Sequence, residues 1–246
     1  MNISKTLGMS YRVAKDNPMI IVPMLAASVF GVLLSLIVVG SAVPTIAGLG
    51  NDPSSITTEQ AVAGIGAAIG GGFLVSVVSG IVGLVAHGLT VAMADLALRG
   101  ESATLASGWA RFSPRLVPAI IASILMGLII GLGTLLLVLP GIVAGFLLVF
   151  TIVALVVDDL SAGQAISRSM KTVTRNFGAT LVFFLVILGL SIVAGIASAI
   201  VGTIPFLGAI LTMIVTAAFT AFLTIFTLAT YRKLSRSDEE ESDAHA

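Results

Sequence analysis

His87 is the only titratable side chain set well inside an apolar stretch of this 246-residue chain. It stands eight residues before Asp95, so on a helix rising 1.5 Å per residue it lies about 12 Å deeper. An ionisable group in such a setting is a functional candidate by default. A neutral imidazole can equally hydrogen-bond a hydroxyl on a neighbouring helix, and that packing role is the better supported. His87→Ala is therefore expected to lower stability rather than abolish an activity. Thr212, Thr216, Thr220 and Thr224 recur every four residues, on one face of a helix. Such a strip can line a polar pathway, or its hydroxyls can bond back to the carbonyls of the preceding turn in a closely packed helix. Ala217 and Ala221 alongside favour packing. His87, Thr216 and Thr220 form the candidate polar site.

Asp158 and Asp159 are the second feature with chemical potential. Paired carboxylates can hold a metal or share a proton, but no His or third acid stands at ligand spacing. They precede a helix start, where carboxylates interact favourably with the dipole, and basic residues follow closely. Capping and ion pairing is the expected role. The chain has no cysteine, which removes disulfides, thiolate ligands and cysteine nucleophiles. A zinc site needs three or four protein ligands, and acid–base or nucleophilic catalysis needs a base positioned beside its partner. Neither set is present, so no catalytic residue, cofactor or metal is expected and the chain reads as a non-enzyme. The glycine runs lack the Gly-Lys-Ser/Thr ending of a phosphate loop, and no nucleic-acid partner is expected.

The elements that must carry these residues are lipid-facing. Hydrophobic residues make up 57% of the chain and charged residues 10%, with a mean hydropathy of +1.15. A soluble domain carries about 25% charged residues. Six uncharged segments reach or approach the roughly 20 residues that cross hydrocarbon: 19–42, 72–94, 117–139, 141–157, 179–202 and 206–231. The expected class is an all-α integral membrane protein, one domain over 1–236, with 237–246 a disordered acidic tail. The run at 19–39 exceeds the roughly 7–15 residues of a signal h-region and reads as a retained span. With six crossings, all 12 Lys and Arg fall on one side. The opposite loops are 43–64, with only Asp52 and Glu59, and tight turns at 139–141 and 203–205. The positive-inside rule then places both termini in the cytoplasm and the protein in the cell membrane. Gly70, Gly71 and Gly72 are expected to break the helix, leaving 61–69 as an outer interfacial or re-entrant piece.

Three basic stretches precede the odd-numbered spans: SKTLGMSYRVAKDNP at 4–18, SATLASGWARFSPRLVP at 102–118 and SAGQAISRSMKTVTRNF at 161–177. Each mixes apolar and basic residues at helical spacing, as a short interfacial helix would. In the third, Ile166, Ser169, Met170, Val173 and Phe177 form a stripe opposite Arg168, Lys171 and Arg175. Ser161 with Gln164 forms a capping box, and Pro18, Pro114 and Pro118 mark changes of direction. The chain thus reads as three units, each an amphipathic helix and a helical hairpin, arranged as parallel repeats. Arg111, Arg115, Arg168, Lys171 and Arg175 are the candidate lipid-headgroup contacts. Trp109 and Tyr231 fall at the same boundary, as an aromatic belt would place them. Small residues four apart, such as Gly127 with Gly131 and Gly141 with Gly145, permit close helix approach, within the chain or with a second copy or another membrane protein.

Leu139-Pro140-Gly141-Ile142, an apolar span, then Asp158-Asp159-Leu160-Ser161 and Ala165-Ile166-Ser167-Arg168-Ser169 give a layout that resembles a group of poorly characterised prokaryotic six-span proteins. These are similar to the membrane domain attached to some bacterial glycerophosphoryl diester phosphodiesterases. The resemblance is clearest over 139–177. It implies a helical domain in the cell membrane; the phosphodiesterase activity belongs to a separate soluble barrel whose catalytic Glu, Asp and His set has no counterpart here. The function expected is a non-catalytic scaffold or lipid-associated membrane protein working through anionic headgroups. The alternative is a transporter or pore for a small or apolar solute.

Overall fold

An uncharged apolar run can satisfy its backbone polar groups internally only as a helix, and helices are what these runs form. The computed structural model describes the backbone of residues 3–51, 58–205 and 207–243. Asp52, Phe206 and the last three residues of the tail lie outside them. Among the described residues there is no strand. The helices run in order α1 (Ile3–Asp16), α2 (Val22–Asn51), α3 (Thr58–Leu98), α4 (Leu105–Phe112), α5 (Leu116–Leu136), α6 (Val138–Leu147), α7 (Thr151–Val157), α8 (Ala162–Arg175), α9 (Phe177–Gly202) and α10 (Gly208–Asp243). Six stretches are long and apolar enough to cross a membrane: Pro18–Ile37, Gly70–Leu98, Leu105–Leu136, Val138–Val157, Phe177–Gly202 and Gly208–Ser237. Short 3₁₀ turns at Pro18–Ile21 and Ser113–Arg115 lead α1 into α2 and α4 into α5. Pro118 sits in the first turn of α5, where its missing N–H costs no bond.

The structure corrects the sequence reading at five places. First, the glycine triplet does not break α3, which runs as one 41-residue helix. Glycine lowers helix propensity by about 1 kcal/mol but does not forbid helical φ/ψ. Second, the expected loop at 43–64 is therefore mostly helical, because α2 continues to Asn51 and α3 starts at Thr58. Third, the acidic tail is not disordered through 243: no Gly or Pro follows Gly208, and α10 continues to Asp243. Fourth, the turn between the third and fourth spans lies at Leu137 rather than at 139–141. Pro140 is then in the first turn of α6, again among the donors that have no helical partner. Fifth, the fourth span is not one helix but two, α6 and α7, interrupted at Leu148 to Phe150.

Contacts divide the chain into two units, Met1–Leu25 with Leu84–Ala246, and Ala26–Gly83. The second comprises parts of α2 and α3, and its described side chains, such as Leu36, Ile37 and Phe73, are largely exposed. The first holds the core. Val91 to Ala94, Phe112, Ala119, Phe150 and Val153 to Val156 are all buried there, with Val173, Phe183, Phe226 and Leu228. These positions cluster in the parts of the helices nearest the basic segments. The far parts of α5, α6 and α9 expose Leu135, Leu136, Leu139, Ile196 and Ile200, as lipid contact requires.

Local sequence explains how α4 reaches this core. α3 stops at a left-handed Gly100, with Glu101 N–H donating to Leu96 C=O and Gly100 N–H to Ala97 C=O, each at 3.0 Å. That is a Schellman ending. Thr104 then caps α4, its Oγ1 accepting from Ser107 N–H at 3.1 Å. Two glycines permit the docking: a Cβ on Gly88 would lie 2.1 Å from the Phe112 ring, and one on Gly108 2.4 Å from Met93 Cγ.

Candidate functional site

The residues that meet with opposite charge lie at or just beyond the ends of α3, α4 and α7 and within α8 and α10. Asp95, one turn before the end of α3, is fully buried. Its Oδ2 is 3.1 Å from Arg99 Nε and 2.8 Å from Arg111 Nη2, and its Oδ1 accepts from Arg232 Nη2. Arg99 comes from the same helix, Arg111 from the docked α4 and Arg232 from α10. Burying a lone carboxylate costs several kcal/mol of lost hydration; three guanidiniums around it offset that cost and leave a local positive surplus.

A second cluster adjoins the first through neighbouring residues of α10. Tyr231 O–H donates to Asp158 Oδ2. Arg168 Nε lies 3.4 Å from the Tyr231 hydroxyl and 3.8 Å from Asp158 Oδ2, and its Nη2 donates to Ser235 Oγ at 2.6 Å. Tyr231 is held by ring contacts: Phe150 lies 5.7 Å from it by centroid and 5.5 Å from Phe183, which is 5.1 Å from Phe226. Each such pair adds about 0.5–1.5 kcal/mol beyond burial. Asp159, in a left-handed conformation that ends α7, pairs with Arg115. Asp tolerates that conformation better than most residues.

Two open clefts adjoin the clusters. One, of 540 Å³, is lined by Arg99, Asp158, Tyr231, Arg232, Ser235 and Arg236 with Leu98 and Val157. The other, of 330 Å³, is lined by Lys5, Thr6 and Met9 of α1, Leu98, and Ala229, Arg232, Lys233 and Arg236 of α10. Lys233 Nζ reaches Thr6 Oγ1 at 3.4 Å across the second cleft.

The residues singled out from sequence divide clearly. Arg111 is engaged with buried Asp95, and Arg115 and Arg168 with Asp159 and Asp158 at the surface, whereas Lys171 and Arg175 are exposed on α8. The buried stripe of α8 is Ala162, Ala165, Ser169, Thr172 and Val173; Met170 and Phe177 of the expected stripe are exposed. Gln164 Oε1 does accept from Ser161 N–H, at 3.0 Å. Asp158 and Asp159 pair with basic and phenolic groups and leave the capping of α8 to Ser161 and Gln164. Trp109 is exposed, but Tyr231 is not a belt residue: it is buried, its ring packed on Phe150 and its hydroxyl bonded to the Asp158 carboxylate.

His87 Nδ1 lies 3.4 Å from Thr224 Oγ1 on α10. Thr224 gives its hydroxyl proton to Thr220 C=O at 2.9 Å, and Thr220 gives its own to Thr216 C=O at 2.8 Å. Thr220 and Thr224 are thus bonded to their own helix, Thr212 donates instead to Ser198 C=O of α9 at 3.4 Å, and exposed Thr216, two turns from Thr224, is not brought to His87. Sequence reasoning used Asp95 only as a depth marker and missed its role. The available signal was an acid flanked by Val91 to Ala94 and Leu96 to Leu98, with Arg99 one turn on.

Ser169 fastens the interrupted fourth span. Its Oγ donates to Leu147 C=O at 2.8 Å and accepts from Phe150 N–H at 3.2 Å, so α8 supplies partners for backbone groups that the break releases. Among the described residues no group of three or more His, Cys, Asp or Glu is placed to hold a metal. Compared with known proteins, residues 1–234 match the model of one family, described as a domain of unknown function (DUF7847). No curated protein and no solved structure matches the chain.

Proposed function

The chain belongs to the DUF7847 family, and since that membership carries no activity with it, we propose from the chain's own residues that it is a non-catalytic, lipid-associated membrane scaffold. In this reading both termini and the basic helix ends lie at the cytoplasmic surface of the cell membrane, and α1, α4 and α8 lie along that surface. The observation that carries it is the gathering of cations along α1, at the end of α3, on α8 and on α10 from Arg232 to Arg236, with Lys171, Arg175, Lys233 and Arg236 exposed beyond the internal ion pairs. A basic residue near an anionic leaflet is attracted by about 1 kcal/mol. The non-catalytic part rests on how the ionisable groups are used: Asp95, Asp158 and Asp159 meet arginines, and His87 meets a threonine rather than an acid. The test is the melting temperature of the protein in nanodiscs of phosphatidylcholine with and without phosphatidylglycerol. Stabilisation by the anionic lipid that weakens with salt is expected. Identical behaviour in the two bilayers would overturn the reading.

Transport of a small or apolar solute is the second reading, and the interrupted fourth span favours it. Broken helices in membranes mark places where backbone groups can meet a solute. Here Ser169 already occupies those groups and Phe150 beside them is fully buried, which makes the break a packing device in the proposed scaffold. Flux of any solute from a broad panel through proteoliposomes would reverse the ranking.

A further inference from the structure

The guanidiniums around Asp95 carry more donors than the carboxylate has acceptor sites. One carboxylate offers about four lone-pair positions and each guanidinium five N–H groups. Arg99 is 44% exposed on its side chain and opens into the larger cleft, while Arg232 lines both clefts. Lys5 from α1 and Lys233 and Arg236 from α10 add three more cations around the smaller one. Among the described residues of the two linings the one carboxylate is Asp158, already bonded to Tyr231. Positive charge with forked donors, in an open cleft, suits a compact anion with several oxygens. Apart from Thr6, the remaining wall of the smaller cleft is apolar, made by Leu98, Met9 and Ala229.

We propose that the cleft formed by α1, the end of α3 and α10 binds a phosphate group, with Lys5, Lys233 and Arg236 as its ligands and Arg232 beside them. Phosphate can come as a lipid headgroup or as the free ion; the apolar wall favours the lipid, whose first carbons would lie against Met9, Leu98 and Ala229. The proposal rests on the lipid-associated reading and narrows it from a charged surface to one site.

The test uses the full-length protein in phosphatidylcholine nanodiscs, titrated with short-chain phosphatidic acid, short-chain phosphatidylcholine or inorganic phosphate, with melting temperature and retained lipid as readouts. Saturable stabilisation by phosphatidic acid and none by phosphatidylcholine is expected. Lys233→Gln with Arg236→Gln should weaken half-saturation about tenfold or more, as loss of charge-assisted hydrogen bonds does. Lys5→Gln, on a different helix, should weaken it in the same direction and keeps the test valid if the double variant folds poorly. Lys171→Gln with Arg175→Gln, the exposed α8 cations outside the cleft, should weaken it less than either cleft variant does. Equal binding by wild type and both cleft variants overturns the site. If anionic lipid still stabilises the cleft variants but not the α8 variant, the cleft fails and the broader reading survives. If wild type gains nothing from any anionic lipid, both fall. Saturation by inorganic phosphate at the concentration that suffices for the lipid keeps the site and overturns the lipid as its source.

Discussion

At the scale of single residues, Asp95 and His87 separate two ways of placing a polar group in an apolar interior. Asp95 is charged, fully buried and matched by three arginines. Removing it strands guanidiniums that are mostly withdrawn from water, and breaking a buried pair in this way costs about 3–5 kcal/mol. Asp95→Ala is accordingly expected to lower the melting temperature sharply. Arg99→Ala should cost under about 1 kcal/mol, since its side chain is 44% exposed and two other cations remain. Equal effects of the two substitutions would show that the cluster does not carry the charge balance described. His87 has one hydroxyl neighbour at 3.4 Å. Interhelical hydrogen bonds of this kind average about 0.6 kcal/mol, so a double-mutant cycle of His87→Ala and Thr224→Ala should return a coupling of that order. The sequence displayed His87 because it interrupts an apolar run. It concealed Asp95, because a carboxylate beside a span resembles an ordinary boundary residue until α4 and α10 are folded against it.

At the scale of elements, hydrophobic runs and basic segments were enough to count spans and to find α1, α4 and α8. Where helices end was harder, because a helix satisfies its own backbone and has no need to stop at the edge of hydrocarbon. Thus α3 passes through Gly70 to Gly72, and the turn before α6 precedes Pro140. The interruption of the fourth span had no signal at all: Phe146 to Thr151 contains neither Gly nor Pro, and its anchor lies on α8. Ser169→Ala removes both bonds to the break and leaves a buried N–H and a part-buried C=O without that partner. A loss of about 1–3 kcal/mol is expected, with faster hydrogen exchange at Phe150 N–H. Wild-type exchange at that amide would mean Ser169 does not hold the break.

At the scale of the whole molecule, orientation rests on the distribution of cations, and the absence of native cysteine makes it simple to test. Single cysteines beside Arg111 or Lys171 should resist an impermeant thiol reagent applied to intact cells and react once the cells are opened. A cysteine at Ile204, in the turn between α9 and α10, should react from outside. The reverse pattern would invert the proteins's placement and remove the anionic leaflet from the basic clefts.

Tyr231 and Arg232 are consecutive residues of α10, yet one reaches Asp158 at the end of α7 and the other Asp95 near the end of α3. Successive side chains on a helix diverge by about 100°, so they grip two different neighbours at one level. Rolling the helix about its axis would unfasten both at once, and so would sliding it lengthwise. The mechanical result is a pinned joint: the segment from Gly208 onward can tilt about that level, but it cannot turn or piston without surrendering both anchors together.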